Sequence, residues 1–235
     1  MLAQFQLFGP GHLGALAVTA MVLGFAVYAA RTCCCPAASD WFERLLALGL
    51  IFSFPAKVIT RLVMGYDITS VILPMHLCDW AAIAGFFALL WRHPLSMEIL
   101  YFWGVAGTLQ GLLTPAIGVD FPDPTYFAFF LLHSGVVIAA LYLPLGLGWR
   151  PRPGAVKRVF ALGLVYVGVA SAINWSFGFN FGFFREKPPG SLMDFLGPVP
   201  WHVFSLIGLA LVMFMLLNLP FLIFKGSAAK RYPEE

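Results

Sequence analysis

Charge is what this sequence has least of. Only 11% of its 235 residues are Asp, Glu, Lys or Arg, and 60% are hydrophobic; an ordinary soluble domain is about 25% charged. This excludes a soluble globular enzyme and a disordered chain, and a net charge of +3 is too small to hold a nucleic acid. Cysteine is also scarce: Cys33, Cys34, Cys35 and Cys78. Three adjacent cysteines frame no disulfide scaffold, and nothing beside them has zinc-site spacing. Lys and Arg are absent before the first apolar run, so that run is expected to remain a membrane span and not a cleaved signal peptide. Internal repeats and a second domain are absent too.

What is present is apolar length. Seven runs, about Gly11–Ala30, Trp41–Met64, Ser70–Trp91, Met97–Ile117, Thr125–Leu145, Val156–Phe177 and Pro200–Phe224, each approach the ~20 residues that cross a bilayer as helix. The expected fold is all-α: one polytopic seven-helix membrane bundle over residues 1–235, with a short tail at 225–235. The runs do not alternate in polarity as barrel strands do. Most connections are short and punctuated by Pro. The longest, Gly178–Val199, is rich in Gly, Pro and Phe and is expected to fold back over the bundle.

The few basic residues set the expected orientation. Loops after runs 1, 3 and 5, and the tail, hold Arg31, Arg92, Arg150, Arg152, Lys157, Arg158, Lys225, Lys230 and Arg231. The positive-inside rule puts that side in the cytoplasm and the N-terminus outside a cell membrane. Cys33–Cys35 then lie in a reducing loop, inert or carrying a juxtamembrane acyl group.

The remaining polar residues fall in one layer. Counting inward at about 1.5 Å per residue, Lys57 is about 10 Å deep, His76 about 9 Å, Asp79 about 13 Å, Gln110 about 10 Å and His133 about 12 Å. Arg61, Asn174 and His202 lie nearer the outer surface, and the inner half of the spans reads as almost purely apolar. Ionisable groups within spans are costly and mark function. Asp79, three residues after His76, would share its helix face and orient its ring. Lys57 and Arg61 would share a face and either neutralise Asp79 or receive an anionic headgroup. The plainer alternatives are a Lys57–Asp79 ion pair welding two helices, a satisfied core histidine at His133, Gln110 as interhelical glue and Cys78 as a buried inert thiol. Gly107 and Gly111 form a G-x-x-x-G that predicts close helix contact.

Longer motifs add to this reading. Leu73-Pro-Met-His-Leu-Cys-Asp79, Tyr101-Phe-Trp-Gly-Val-Ala-Gly-Thr-Leu-Gln110 with Leu112-Leu-Thr-Pro115, Phe130 through His133, and Asn174 with Asn180-Phe-Gly182, Lys187-Pro188 and Leu196-Gly-Pro198 resemble, in order, the YwaF-like bacterial integral membrane proteins. That family is similar to the animal transmembrane protein 164, a phospholipid acyltransferase that works through a cysteine thioester in a Pro-Cys-His element. The matching element here is Pro74-Met75-His76; the histidine is kept, but Met75 cannot carry an acyl group. His133 looks like the second histidine.

Three function classes follow. The first is a lipid acyltransferase or acyl hydrolase, with His76 or His133 as general base, Asp79 orienting, Cys78 as substitute nucleophile, and Lys57, Arg61, Gln110, Asn174 and His202 binding substrate. Its partners are membrane lipids; it needs no cofactor and no nucleic acid. A zinc variant would draw on His76, Asp79, His133 and His202, but no H-E-x-x-H spacing supports it. The second class is a non-catalytic lipid or small-molecule binding protein, receptor or transporter, with Pro55, Pro74 and Pro115 as span breakers. The third is an assembly protein whose polar layer only fixes helix register.

Overall fold

The computed structural model describes residues 4–32, 36–188 and 192–223. Cys33–Cys35 and the tail at 225–235 lie outside the described residues. The chain is helical: α1 (Pro10–Thr32), α2 (Pro36–Val63), α3 (Leu77–Trp91), α4 (Pro94–Trp103), a π-helical turn (Gly104–Thr108), α5 (Leu109–Leu113), α6 (Pro124–Leu145), α7 (Ala155–Phe177) and α8 (His202–Ile223). Among the described residues there is no strand, only one isolated bridge between Gln4 and Val119.

Five stretches are long and apolar enough to cross a membrane: α1, Ser39–Val63 of α2, α6, α7 and α8. The other two expected spans differ in form. The third begins at Leu77 rather than Ser70, because residues 70–76 form turns ending at Pro74, which cannot donate to a helix ladder. α3 is therefore 15 residues long, about 22 Å at the helical rise. The fourth is a single rod of α4 and α5 joined by the π turn. Pro55 lies inside an unbroken α2, so it does not split that span; Pro115 follows the end of α5.

Helix ends follow local chemistry. Pro94 and Pro124 stand at first-turn positions, where no N–H is needed. Asp123 Oδ1 accepts from the Thr125 N–H at 2.7 Å to cap α6. α7 ends at Gly178, whose φ of 76° is open to glycine.

α6 is the central pillar, packed against α1, α2, α3, α4 and the π turn. Its Val136, Ala139, Ala140, Tyr142 and Leu143 are sealed in the core with Phe102, Trp103 and Met75. The outer faces of α1, α2, α7 and α8 present Phe25, Val63, Val165, Trp175 and Leu222 unshielded. So much exposed apolar surface fits hydrocarbon and not water.

Rods that follow one another in the chain reverse direction, whereas α1 and α6, bonded start to start and end to end, run parallel. At what we call the upper end, Tyr126 donates to the Gly11 carbonyl at 2.7 Å and His12 Nε2 to that of Leu112 at 3.0 Å. At the lower end, Arg31 donates to Leu145 and Arg150 to Phe221. The lower half is not purely apolar, contrary to the sequence reading. Glu43 is buried, bonded to Arg92 and to Tyr142, and buried Glu98 pairs with Arg152 at 3.0 Å and Arg158 at 2.7 Å. Basic residues that mark a membrane face in the sequence thus also serve as counter-ions to buried carboxylates.

Candidate functional site

The candidate site is at the upper end, where α2 finishes and α3 begins. Lys57 Nζ donates to Asp79 Oδ1 at 2.6 Å, with the carboxylate fully shielded and the ammonium side chain 14% exposed. Asp79 is the third residue of α3, and its Oδ2 accepts from the backbone N–H of His76 at 3.2 Å, satisfying one orphan donor of the helix start. One carboxylate therefore locks α2 to α3 and fixes the backbone of His76.

The expected contact between Asp79 and the His76 ring is not made. His76 precedes α3, so the two residues do not share a helix face. Its ring nitrogen Nε2 lies 2.9 Å from the Ser70 carbonyl. That oxygen can only accept, so Nε2 carries the proton and, in the neutral ring, Nδ1 keeps its lone pair. That lone pair is turned to the Asp79 backbone N–H, the other half of the capping box at the start of α3. The Phe181 and Phe183 rings wall the imidazole at centroid distances of 5.4 and 5.8 Å.

His133 is tautomerically fixed as well: Nδ1 donates to the Phe129 carbonyl at 2.8 Å, and the ring stacks on Phe129 at 3.9 Å. Its Nε2 abuts Gly111, where a Cβ would stand 3.1 Å away. The G-x-x-x-G is explained by these cradles: Gly111 takes the His133 ring, and Gly107 takes the Leu77 side chain. His133 is within charge range of Lys57, Asp79 and His76, so all four share one region, but its free nitrogen is closed off by α5.

Other sequence candidates are placed elsewhere. Gln110 is exposed on α5 and not gathered into the cluster. Arg61 Nε donates to the Asp67 carbonyl at 2.7 Å, closing the turn after α2. Cys78 is a half-buried free thiol packed against the core. Asn174 and His202 are spent on the loop after α7. The Asn174 amide both donates to and accepts from the Phe181 backbone at 2.8 Å, and His202 Nε2 donates to the Phe183 carbonyl at 2.9 Å. The loop does fold over the bundle, burying Phe181 completely.

Sequence reasoning missed Tyr166, whose hydroxyl donates to the Met75 carbonyl at 3.0 Å and so ties α7 to the turn that carries His76. A lone phenol in an apolar helix was the available signal, since a buried Tyr hydroxyl seeks a partner. Ser70, which acts through its carbonyl, left no trace in residue type. Among the described residues, no three His, Cys, Asp or Glu side chains are grouped to hold a metal ion, so the zinc ligand set is not assembled.

No curated protein and no solved structure matches this chain. A family model described as the TMEM164 family matches residues 7–218, a range that contains α1, the Lys57–Asp79 pair, both fixed histidines and the Asn174–His202 loop. This membrane-helical chain belongs to the TMEM164 family.

Proposed function

We propose that this protein is an integral membrane enzyme that transfers or hydrolyses a lipid acyl group, with His76 as general base. The observation that carries the reading is the fixed tautomer of His76, which leaves the lone pair on Nδ1 at the start of α3, beside a buried Lys57–Asp79 pair. A general base needs an oriented ring whose lone-pair nitrogen can take a proton. In the proposed step, Nδ1 takes the proton of an attacking hydroxyl, from water or an acceptor alcohol, as its oxygen bonds the acyl carbonyl carbon. Lys57 stabilises the oxyanion. As the ester C–O bond breaks, the leaving alkoxide takes that proton back from His76. With Met75 in place of a thiol, the acyl group passes directly to the acceptor without a thioester.

The orientation we propose puts the N-terminus outside the cell membrane and the lower end in the cytoplasm. It is supported by Arg31, Arg92, Arg150, Arg152, Lys157 and Arg158 on one side; the rule counts Lys and Arg, not net charge, so pairing with Glu43 and Glu98 does not weaken it. The substrate would then enter sideways from the outer leaflet.

Phospholipid turnover by purified protein in liposomes tests the chemistry. His76→Ala and His76→Gln are expected to lower the rate about 10²- to 10⁴-fold. Equal turnover in the wild type and in the His76→Ala/His133→Ala double variant overturns it. The rival reading is binding or transport without chemistry. It gains little from the lower half, where Glu43 and Glu98 are tied up in ion pairs rather than lining a path. Lipid capture by wild-type protein with no turnover favours binding.

A further inference from the structure

We propose that residues 181–183 form a lid over His76, hinged at Gly182 and latched by His202, and that His202 is a positioning residue acting through Phe183. The proposal concerns access to the His76 ring and stands whether or not that ring does acyl chemistry.

The two halves of the segment are held very differently. Phe181 is fully buried, and both its backbone groups are clamped by the Asn174 amide at 2.8 Å; this is the fixed post. Phe183 is only half-buried, and the bond from His202 Nε2 to its carbonyl at 2.9 Å is its side-chain latch. Between them Gly182 sits at φ 67°, and a Cβ there would stand 2.7 Å from the Phe184 ring. Only glycine turns the chain at that point.

The closed arrangement carries two local costs. Phe183 itself lies at φ 58°, a left-handed conformation that disfavours a bulky aromatic residue. His202 is fully buried, and its Nδ1 has no hydrogen-bond partner, because the Phe183 carbonyl claims the ring proton at Nε2. A buried acceptor without a donor is destabilising. Swinging Phe183 away relieves the strained backbone and lets water reach the imidazole of His202. Both costs fall on the two residues that close the segment over His76, and neither falls on the Asn174 post. Closure is therefore opposed locally and maintained by one side-chain latch and one long backbone bond, from Phe183 N–H to the Asn180 carbonyl at 3.2 Å, the pattern of an element drawn from the low-stability end of a fold.

The test is the reactivity of His76 toward diethyl pyrocarbonate, read by peptide mass spectrometry on the full chain in detergent micelles. Exposed His93 is the internal reference. In wild type, His76 is expected to react more slowly than His93. His202→Ala removes the latch and is expected to raise the His76 rate about fivefold relative to His93, the factor that one net hydrogen bond sets on an opening equilibrium. His202→Gln, whose amide can still donate to the Phe183 carbonyl, restores protection. Phe183→Ala removes the covering ring itself and unmasks His76; it carries the test where His202→Ala fails to fold. An unchanged His76 rate in Phe183→Ala, or in folded His202→Ala, overturns the lid. Since no lipid is turned over, this result is independent of the acyl assay.

Discussion

Replacing Lys57 with Met separates the structural work of the buried pair from any catalytic work. The substitution leaves the Asp79 carboxylate with no side-chain exposure and without its 2.6 Å counter-ion. Removing one partner of a buried ion pair costs about 3–5 kcal/mol. Two features of the structure favour the low end of that range: Lys57 is itself 14% exposed, and Asp79 retains the His76 N–H at 3.2 Å. The expected loss is therefore about 3 kcal/mol. Asp79→Asn should cost less, because the amide oxygen still accepts from His76 N–H and the ammonium can turn toward water. The double variant Lys57→Met/Asp79→Asn should recover part of the Lys57→Met loss, since it removes the unpaired charge. Unfolding free energies from sodium dodecyl sulfate titration in mixed micelles complete the cycle. A Lys57→Met loss under about 1 kcal/mol, or a double variant as costly as the sum of the singles, refutes the claim that this pair joins α2 to α3 and fixes the His76 backbone.

Three further outcomes are expected. Gly111→Ala puts a Cβ 2.9 Å from His133 Cδ2, against a ring pinned by Phe129, and should cost about 1–3 kcal/mol of overpacking; Gly163→Ala, with open space around it, is the control that should not. Asn174→Ala strips both backbone partners from buried Phe181 and should cost about 3 kcal/mol, with protease cleavage near residues 178–188 appearing first. Burial pushes the pKa of Asp123 up, but the hydrogen bonds from Thr125 and Tyr66 outweigh it and hold the carboxyl below its ordinary value. A depressed folded value means that its stabilisation is present above the unfolded value, about pH 4, and is lost as pH falls through the folded one. Melting curves between pH 3 and pH 7 should therefore show a smaller acid-side decline in Asp123→Asn than in wild type.

Helix type and most boundaries were legible because long apolar runs in a chain this poor in charge admit little else. α6 and α7 begin and end within a residue of the apolar runs that predict them. The third span was misread at its start: Ser70–His76 is apolar enough to extend a run, but hydropathy does not register that Pro74 interrupts the ladder. That error carried into the site. With His76 placed on the helix, Asp79 faced its ring; with His76 before the first turn, the same carboxylate reaches its backbone N–H instead. The Lys57–Asp79 contact was legible because opposite charges at one depth in lipid have few other choices. Ser70 was not, because a backbone carbonyl is independent of residue type. Glu43 and Glu98 were overlooked for a related reason: their arginine partners lie in loops (Arg92 and Arg152) or in the first turn of α7 (Arg158), at the membrane face where basic residues read as topology.

The two ends of the bundle use polar groups in opposite ways, and the contrast bears on whether the upper layer is only structural. At the lower end Glu98 accepts from Arg152 Nε at 3.0 Å and Arg158 Nε at 3.0 Å, with further bonds from the terminal nitrogens of both. Its carboxylate is finished, as a group that sets helix register should be, because unsatisfied buried polarity costs stability. At the upper end three imidazoles each spend one nitrogen on a backbone carbonyl, Ser70, Phe129 and Phe183. Of their other nitrogens, Nδ1 of His202 has no partner, Nε2 of His133 abuts Gly111, and Nδ1 of His76 is turned to the Asp79 N–H of the capping box. His12 is completed from both sides by strong bonds, with Phe8 N–H on Nδ1 and the Leu112 carbonyl on Nε2. Of the three upper rings, His133 faces the Gly111 cradle and His202 lies sealed beneath the loop it latches. His76 alone stands behind a half-buried aromatic residue, next to a buried cation. The fold thus seats a single-tautomer imidazole beside a buried cation, whereas joining α2 to α3 requires the Lys57–Asp79 pair alone.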